Sequence, residues 1–260
     1  EGYELIVKWG TDDERSHDVT AYSLGYDGME KTLDIEANQF SVSDISGDGK
    51  NELLAVIKRD GRVFADIYSE ADEKIRKVGS VELSRHDGKV ARILSGKVFG
   101  EVSGAFIERE SGEEIITDIV ICEDGKYVNL LRNGDICGVS ALCADVNDDG
   151  IIELPKETEE DGKASTDRTY FWRSVDKSGV LLTRAFTYHS FSDNWYFSMP
   201  VSWGKTVFAK RVPIGTQRVK ISFFSREKIG TDDEEKNHEV EDKARVVGYT
   251  RLIRRSIRRG

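Results

Sequence analysis

Apolar residues in this chain come in short bursts, either alternating with polar ones or briefly continuous, and Gly and Asp separate the bursts. That spacing predicts strands and turns rather than amphipathic helices. The expected strands of the first half are Glu4–Trp9, Val19–Tyr26, Glu30–Ile35, Leu53–Ile57, Val63–Tyr68, Val90–Phe99, Gly104–Glu108, Ile115–Cys122 and Tyr127–Leu131. Asp27-Gly28, Asp60-Gly61 and Asp124-Gly125 stand between neighbours in this series. Such dipeptides accept the positive φ angles of a tight hairpin. Leu53-Leu54-Ala55-Val56-Ile57 has no polar face, which marks a strand buried on both sides. Glu70–Lys77 stays open between a short helical turn and a charged hairpin tip.

The second half begins with a change of composition. Pro155 to Arg168 (PKETEEDGKASTDR) is polar and charged and predicts a solvated loop or linker. The expected parts are therefore 1–155, a charged connection at 156–168, and 169–260. Tyr170–Trp172, Val180–His189, Trp195–Met199, Thr206–Arg211 and Arg218–Phe224 predict further antiparallel ribbons, with a turn at Pro200–Lys205. They are either more of the same β body or a separate β domain.

Two stretches 101 residues apart carry one loop: Asp44-Ile-Ser46-Gly-Asp48-Gly-Lys50-Asn-Glu52 and Asp145-Val-Asn147-Asp-Asp149-Gly-Ile151-Ile-Glu153. Oxygen side chains fall at relative positions 1, 3, 5 and 9, and glycine at position 6. A tight loop turns such side chains inward, and the backbone carbonyl of position 7, Lys50 or Ile151, adds a donor. The alternative is a metal-free turn in which the same side chains hold backbone amides. A helical calcium hand would place Glu at position 12, where this chain has Ala55 and Lys156. A nine-position loop feeding a strand instead resembles the FG-GAP/VCBS repeat of integrin-alpha-type β-propellers. Ser46, Asn147 and the ninth-position glutamates depart from that family's Asp-rich pattern. The resemblance implies calcium between blade strands and an all-β, propeller-like array of antiparallel four-stranded blades. A blade takes about 40–50 residues, so the repeat interval is near two blades and the chain holds roughly five, as a closed ring or a piece of a larger one. A blade with a degenerate loop is expected around Arg85–Gly96.

The net charge of −10 argues against a nucleic-acid surface. No apolar run reaches membrane-span length, and no signal sequence is visible. The start at Glu1 fits a trimmed exported protein, extracellular or on the cell surface, with room for a lipoprotein-type anchor upstream. Cys122, Cys137 and Cys143 lack zinc spacing and read as buried thiols, or as one disulfide with a thiol left over. The four histidines are scattered without triad or metal spacing, and no phosphate-binding glycine loop occurs. The acidic run Thr231–Asp242 and the basic Arg251–Arg259 read as a hairpin loop and a final strand, with a membrane- or nucleic-acid-binding arm as the alternative that the overall charge opposes.

Tyr188, Phe191, Trp195, Tyr196, Phe197 and Trp203 form the densest aromatic region, beside Asp193 and Asn194. It is either cross-strand packing or a platform for a sugar or peptide. Three functions follow. The leading one is a non-enzymatic exported protein that binds a macromolecule, protein or glycan, with calcium stiffening its loops. The others are a carbohydrate-binding or carbohydrate-active protein built around Trp195, and a structural domain of a surface protein.

Overall fold

A computed structural model describes residues 3–10, 17–71, 74–86, 88–138, 141–158, 167–191, 195–205, 207–214, 218–225 and 245–246. The fold is all-β. Its strands are β1 (Tyr3–Trp9), β2 (His17–Gly25), β3 (Gly28–Ala37), β4 (Gln39–Ser43), β5 (Glu52–Arg59), β6 (Arg62–Ala71), β7 (Lys74–Glu82), β8 (Lys89–Phe99), β9 (Val102–Ser111) and β10 (Glu114–Glu123). They continue with β11 (Lys126–Asn129), β12 (Asp135–Gly138), β13 (Leu154–Glu157), β14 (Asp167–Val175), β15 (Leu181–Ser190), β16 (Trp195–Met199), β17 (Val207–Ile214), β18 (Arg218–Ser225) and β19 (Arg245–Val246). A 3₁₀ turn, Val201–Lys205, is the one helical element among the described residues.

The strands form five sheets, in the orders β1-β2-β3, β4-β5-β6-β7, β11-β10-β9-β8 with β12 also on β10, β13-β14-β15-β16, and β17-β18-β19. The named pairings are antiparallel, and within each sheet strands pair with their sequence neighbours, except that β12 pairs with β10. Asp60-Gly61 and Asp124-Gly125 turn their hairpins as expected, with φ of 50° and 73° in the first and 49° and 73° in the second. The turn between β2 and β3 falls one residue earlier than expected, at Tyr26-Asp27, because Gly25 pairs with Gly28. The described residues of Glu70–Lys77 are strand, ending β6 and opening β7, with Ala71 paired to Lys74.

The chain divides into two compact units. The first is Glu1–Pro155 with Ser174–Leu182. Its inner strands are two-faced. On β5, Leu54 and Val56 enter one core with Ile45, Ile67, Val81 and Ile107, while Leu53 and Ala55 enter another with Val19, Ala37 and Tyr68. On β9 and β10, Ile107 and Val120 join the first of these, while Phe106, Ile119 and Ile121 enter a third core with Val98, Cys143 and Leu154. Successive side chains of a strand point to opposite faces, so an unbroken apolar run is what burial on both faces requires. The first three sheets are thus separated by continuous apolar layers.

The second unit is Lys156–Arg173 with Thr183–Gly260. Its core is aromatic, built from Phe186, Tyr188, Met199, Val207 and Phe223, with Phe171, Trp195, Phe197 and Trp203 packed on it. The charged stretch 156–168 differs from the expected linker at both ends. Lys156 and Glu157 lie in β13, Asp167 and Arg168 lie in β14, and Glu157 pairs with Arg168 at 2.8 Å. Burial of Leu154 and Pro155 at one end and Asp167 and Thr169 at the other draws this polar sequence into strands. The middle of the stretch, and the tail segments Thr231–Asp242 and Arg251–Arg259, lie outside the described residues.

Candidate metal centres

Both Asp-rich loops close an antiparallel pair in the same register. Ser43 pairs with Glu52 across the first, and Ala144 with Glu153 across the second. Each loop carries left-handed backbone at its fourth and sixth positions: Gly47 (φ 76°) and Gly49 (φ 86°) in one, Asp148 (φ 61°) and Gly150 (φ 85°) in the other. Glycine adopts that conformation without strain and Asp tolerates it, which is why the spacing survives with Asp at one of the four places.

The side chains build one arrangement twice. Asp44 accepts the amides of Gly47, Asp48 and Gly49 at 2.7, 3.1 and 3.0 Å. Asp145 accepts those of Asp149 and Gly150 at 3.1 and 2.9 Å. Asp48 and Asp149 each accept the amide two residues on, at 2.8 Å, from Lys50 and Ile151. The buried ninth-position glutamates reach back to the second residue: Ile45 N donates to Glu52 at 2.7 Å, Val146 N to Glu153 at 3.0 Å. Ile45 and Val146 are themselves buried, so each loop is plugged into the core beneath it.

Asp44, Asp48 and Glu52 therefore converge, as do Asp145, Asp149 and Glu153, each trio offering carboxylate oxygens within 4.8 Å of one another. Third-position groups line the same turns. Ser46 Oγ donates to Glu52 at 2.7 Å, while Asn147 donates to Asp149 at 3.1 Å and accepts its amide at 3.0 Å. Lys50 is exposed, and Ile151 forms a parallel bridge with Lys97 of β8. Three like charges this close repel, and a cation at their centre relieves the repulsion. Oxygen-only donors, with no His or Cys in either trio, fit a hard divalent ion such as calcium rather than zinc. Asp44, Asp48 and Glu52, or Asp145, Asp149 and Glu153, would hold it, with Ser46 and Asn147 beside them.

One contributor is invisible in the loop motif. The Tyr127 hydroxyl, on β11, lies near enough to Glu52 to feel its charge, and burial followed by that charge pushes its pKa up. Its ring lies against Gly79 of β7, where an added Cβ would meet Tyr127 Cδ2 at 2.5 Å. The first trio is thereby tied to the next sheet. The second trio is fastened through its own strand segment: Ile152 N donates to Lys97 O at 2.9 Å.

The described residues of Arg85–Gly96 run out of β7 and into β8, the first strand of the sheet that stands between the two loops. The intermediate sheet exists, but Gly100-Glu101 closes its first hairpin in two residues, leaving no room for an oxygen cage.

In the second unit Trp195 rests on Tyr188 at 5.6 Å and Tyr196 stacks on His189 at 5.3 Å and 17°. Asp193 and Asn194 lie outside the described residues. His189 Nε2 shares a 2.7 Å hydrogen bond with Thr187 Oγ1, which accepts Trp172 Nε1 at 2.6 Å. Burial pushes the His189 pKa down to about 4. Cys122, Cys137 and Cys143 form no disulfide, and burial pushes the pKa of the Cys143 and Cys122 thiols up. No helix among the described residues is long and apolar enough to cross a membrane. Neither a protein-family model nor a curated protein matches the chain.

Proposed function

We infer that this chain is a cation-stiffened, β-propeller-like scaffold of the FG-GAP/VCBS kind, exported or held at a cell surface, that binds a macromolecular partner without catalysis. The observation that carries this reading is the duplicated loop. Two segments far apart in sequence make the same register, the same backbone twist and the same carboxylate trio. The stacking of consecutive antiparallel sheets through shared apolar layers supports the blade-like part of the reading. Calcium is the ion the donor set favours.

The test is thermal melting with calcium, with magnesium and with chelator, alongside calorimetric titration of calcium. The expectation is a calcium-dependent rise in Tm and a stoichiometry of two. A cation that binds only the folded state raises the midpoint by mass action. Asp48→Asn and Asp149→Asn should each remove one site. A melt indifferent to calcium and chelator, with no heat of binding, overturns the metal part of the proposal.

A further inference from the structure

A cleft of about 540 Å³ lies beside β7 and β11, lined by Ser80 to Leu83 and Arg85 on one side and by Tyr127 to Asn129 and Arg132 on the other. Strands β7 and β11 end their sheets, so each presents an edge whose backbone groups can take a further partner. Arg85 and Arg132 are exposed, and neither has an ion pair among the described residues. Glu82 is the one carboxylate in the lining, and it faces Arg62 at 3.5 Å. Two guanidinium groups in one cleft without an ion pair among the described residues are conspicuous in a chain of net charge −10.

Both arginines sit on segments organised by one buried residue. Asp118, fully buried, accepts Ser84 N at 2.8 Å and Ser84 Oγ at 3.0 Å. Buried Arg109 donates to Asp118 at 2.6 Å and to Ser84 O at 3.0 Å, and also reaches His86 O. The backbone on either side of Arg85 is therefore fixed. Across the cleft, Asn129 donates to Asp118 at 2.8 Å and accepts Leu131 N at 3.1 Å, which fixes the approach to Arg132. A site whose charged groups stand on pinned backbone loses less entropy on binding.

We propose that this cleft binds an extended acidic segment of a partner protein, whose carboxylates pair with Arg85 and Arg132 while its backbone runs along a strand edge. The proposal rests on the reading of the chain as a binding scaffold and supplies that partner's chemistry. Arg forks match carboxylates in two parallel hydrogen bonds, and strand edges accept extended peptides.

The test is calorimetric or fluorescence titration of the full chain with a short Glu/Ser peptide, its Gln/Ser counterpart and inorganic phosphate, in low and high salt. The acidic peptide should bind, weaken in high salt, and outbind both the neutral peptide and phosphate. Arg85→Ala and Arg132→Ala should each cost about tenfold in affinity, and Glu82→Gln should strengthen binding. Equal binding of the Gln peptide or of phosphate, or affinity unchanged in the arginine double variant, overturns the proposal. Wild-type and variant melting curves should coincide, because both arginines are exposed and neither has an ion pair among the described residues. The calcium titration is read separately: two calcium sites without peptide binding sink this inference alone, and peptide binding without calcium sinks only the metal reading.

Discussion

The two Asp-rich loops share nine positions and one geometry, yet they are fastened to different things. Glu52 carries the amides of Ile45 and Ser46 and the Ser46 hydroxyl, and its charge is felt by Tyr127, from a strand of the next sheet. The second loop has Asn147 where the first has Ser46, and its segment is bound to Lys97 of β8 through the backbone. The difference teaches that loop spacing encodes the local cage, while neighbouring strands decide what the cage holds together. The first trio ought to be the mechanical one, since loosening it also loosens the contact between sheets.

The sharpest way to break that comparison is to remove the ninth-position acid. Glu52→Ala strands several donors in a buried site and should cost about 3 kcal/mol, more than Glu153→Ala, as read by urea denaturation. Equal losses would refute the asymmetry. Acid titration must be separated from the loops, because His189 contributes elsewhere. Its folded pKa of about 4 lies below the ordinary 6.5, so the unfolded chain takes the proton first. Stability is full above the ordinary value and falls as pH drops through the window toward the folded one. By mid-window the loss is about 2 kcal/mol, and a His189→Gln variant should lack that component in pH-dependent melts.

Smaller effects sharpen the picture. Asp44→Ala and Asp145→Ala should each cost about 1.5 kcal/mol, because each carboxylate accepts at least two backbone amides of its own loop. Denaturant midpoints of the pair decide it. The smallest is Tyr127→Phe, which keeps the ring on Gly79 and removes only the hydroxyl. It should cost about 1 kcal/mol and weaken calcium at the first site while leaving the second untouched. Terbium luminescence reads the same variant by energy transfer, since Tyr127 lies close enough to feel the charge of a first-loop carboxylate.

Much of this fold was legible because its signals are local. Asp-Gly pairs announce hairpins, and the run Leu53–Ile57 announces a strand with both faces covered. The loops were legible as cages because three of their acids lie within nine consecutive residues. Elements with one packed face were harder. Strand β7, KIRKVGSVE, buries only Ile75 and Val81 and otherwise reads as a charged tip. Strand β13 hides in a polar stretch because only Leu154 and Pro155 are buried. Tyr127 beside Glu52, and Asp118 between the Arg85 and Arg132 segments, are products of strand order. No spacing along the chain brings them together.

The two-faced central strands carry one further consequence. A strand wedged between two apolar layers cannot let go of one without uncovering the other. Peeling of β5 should therefore open both of its interfaces in a single step, and the amides of Leu53 to Val56 should be among the last to trade hydrogen for deuterium. Within the first unit, the order in which protons are surrendered to solvent would trace the depth of each layer, from the outer strands inward.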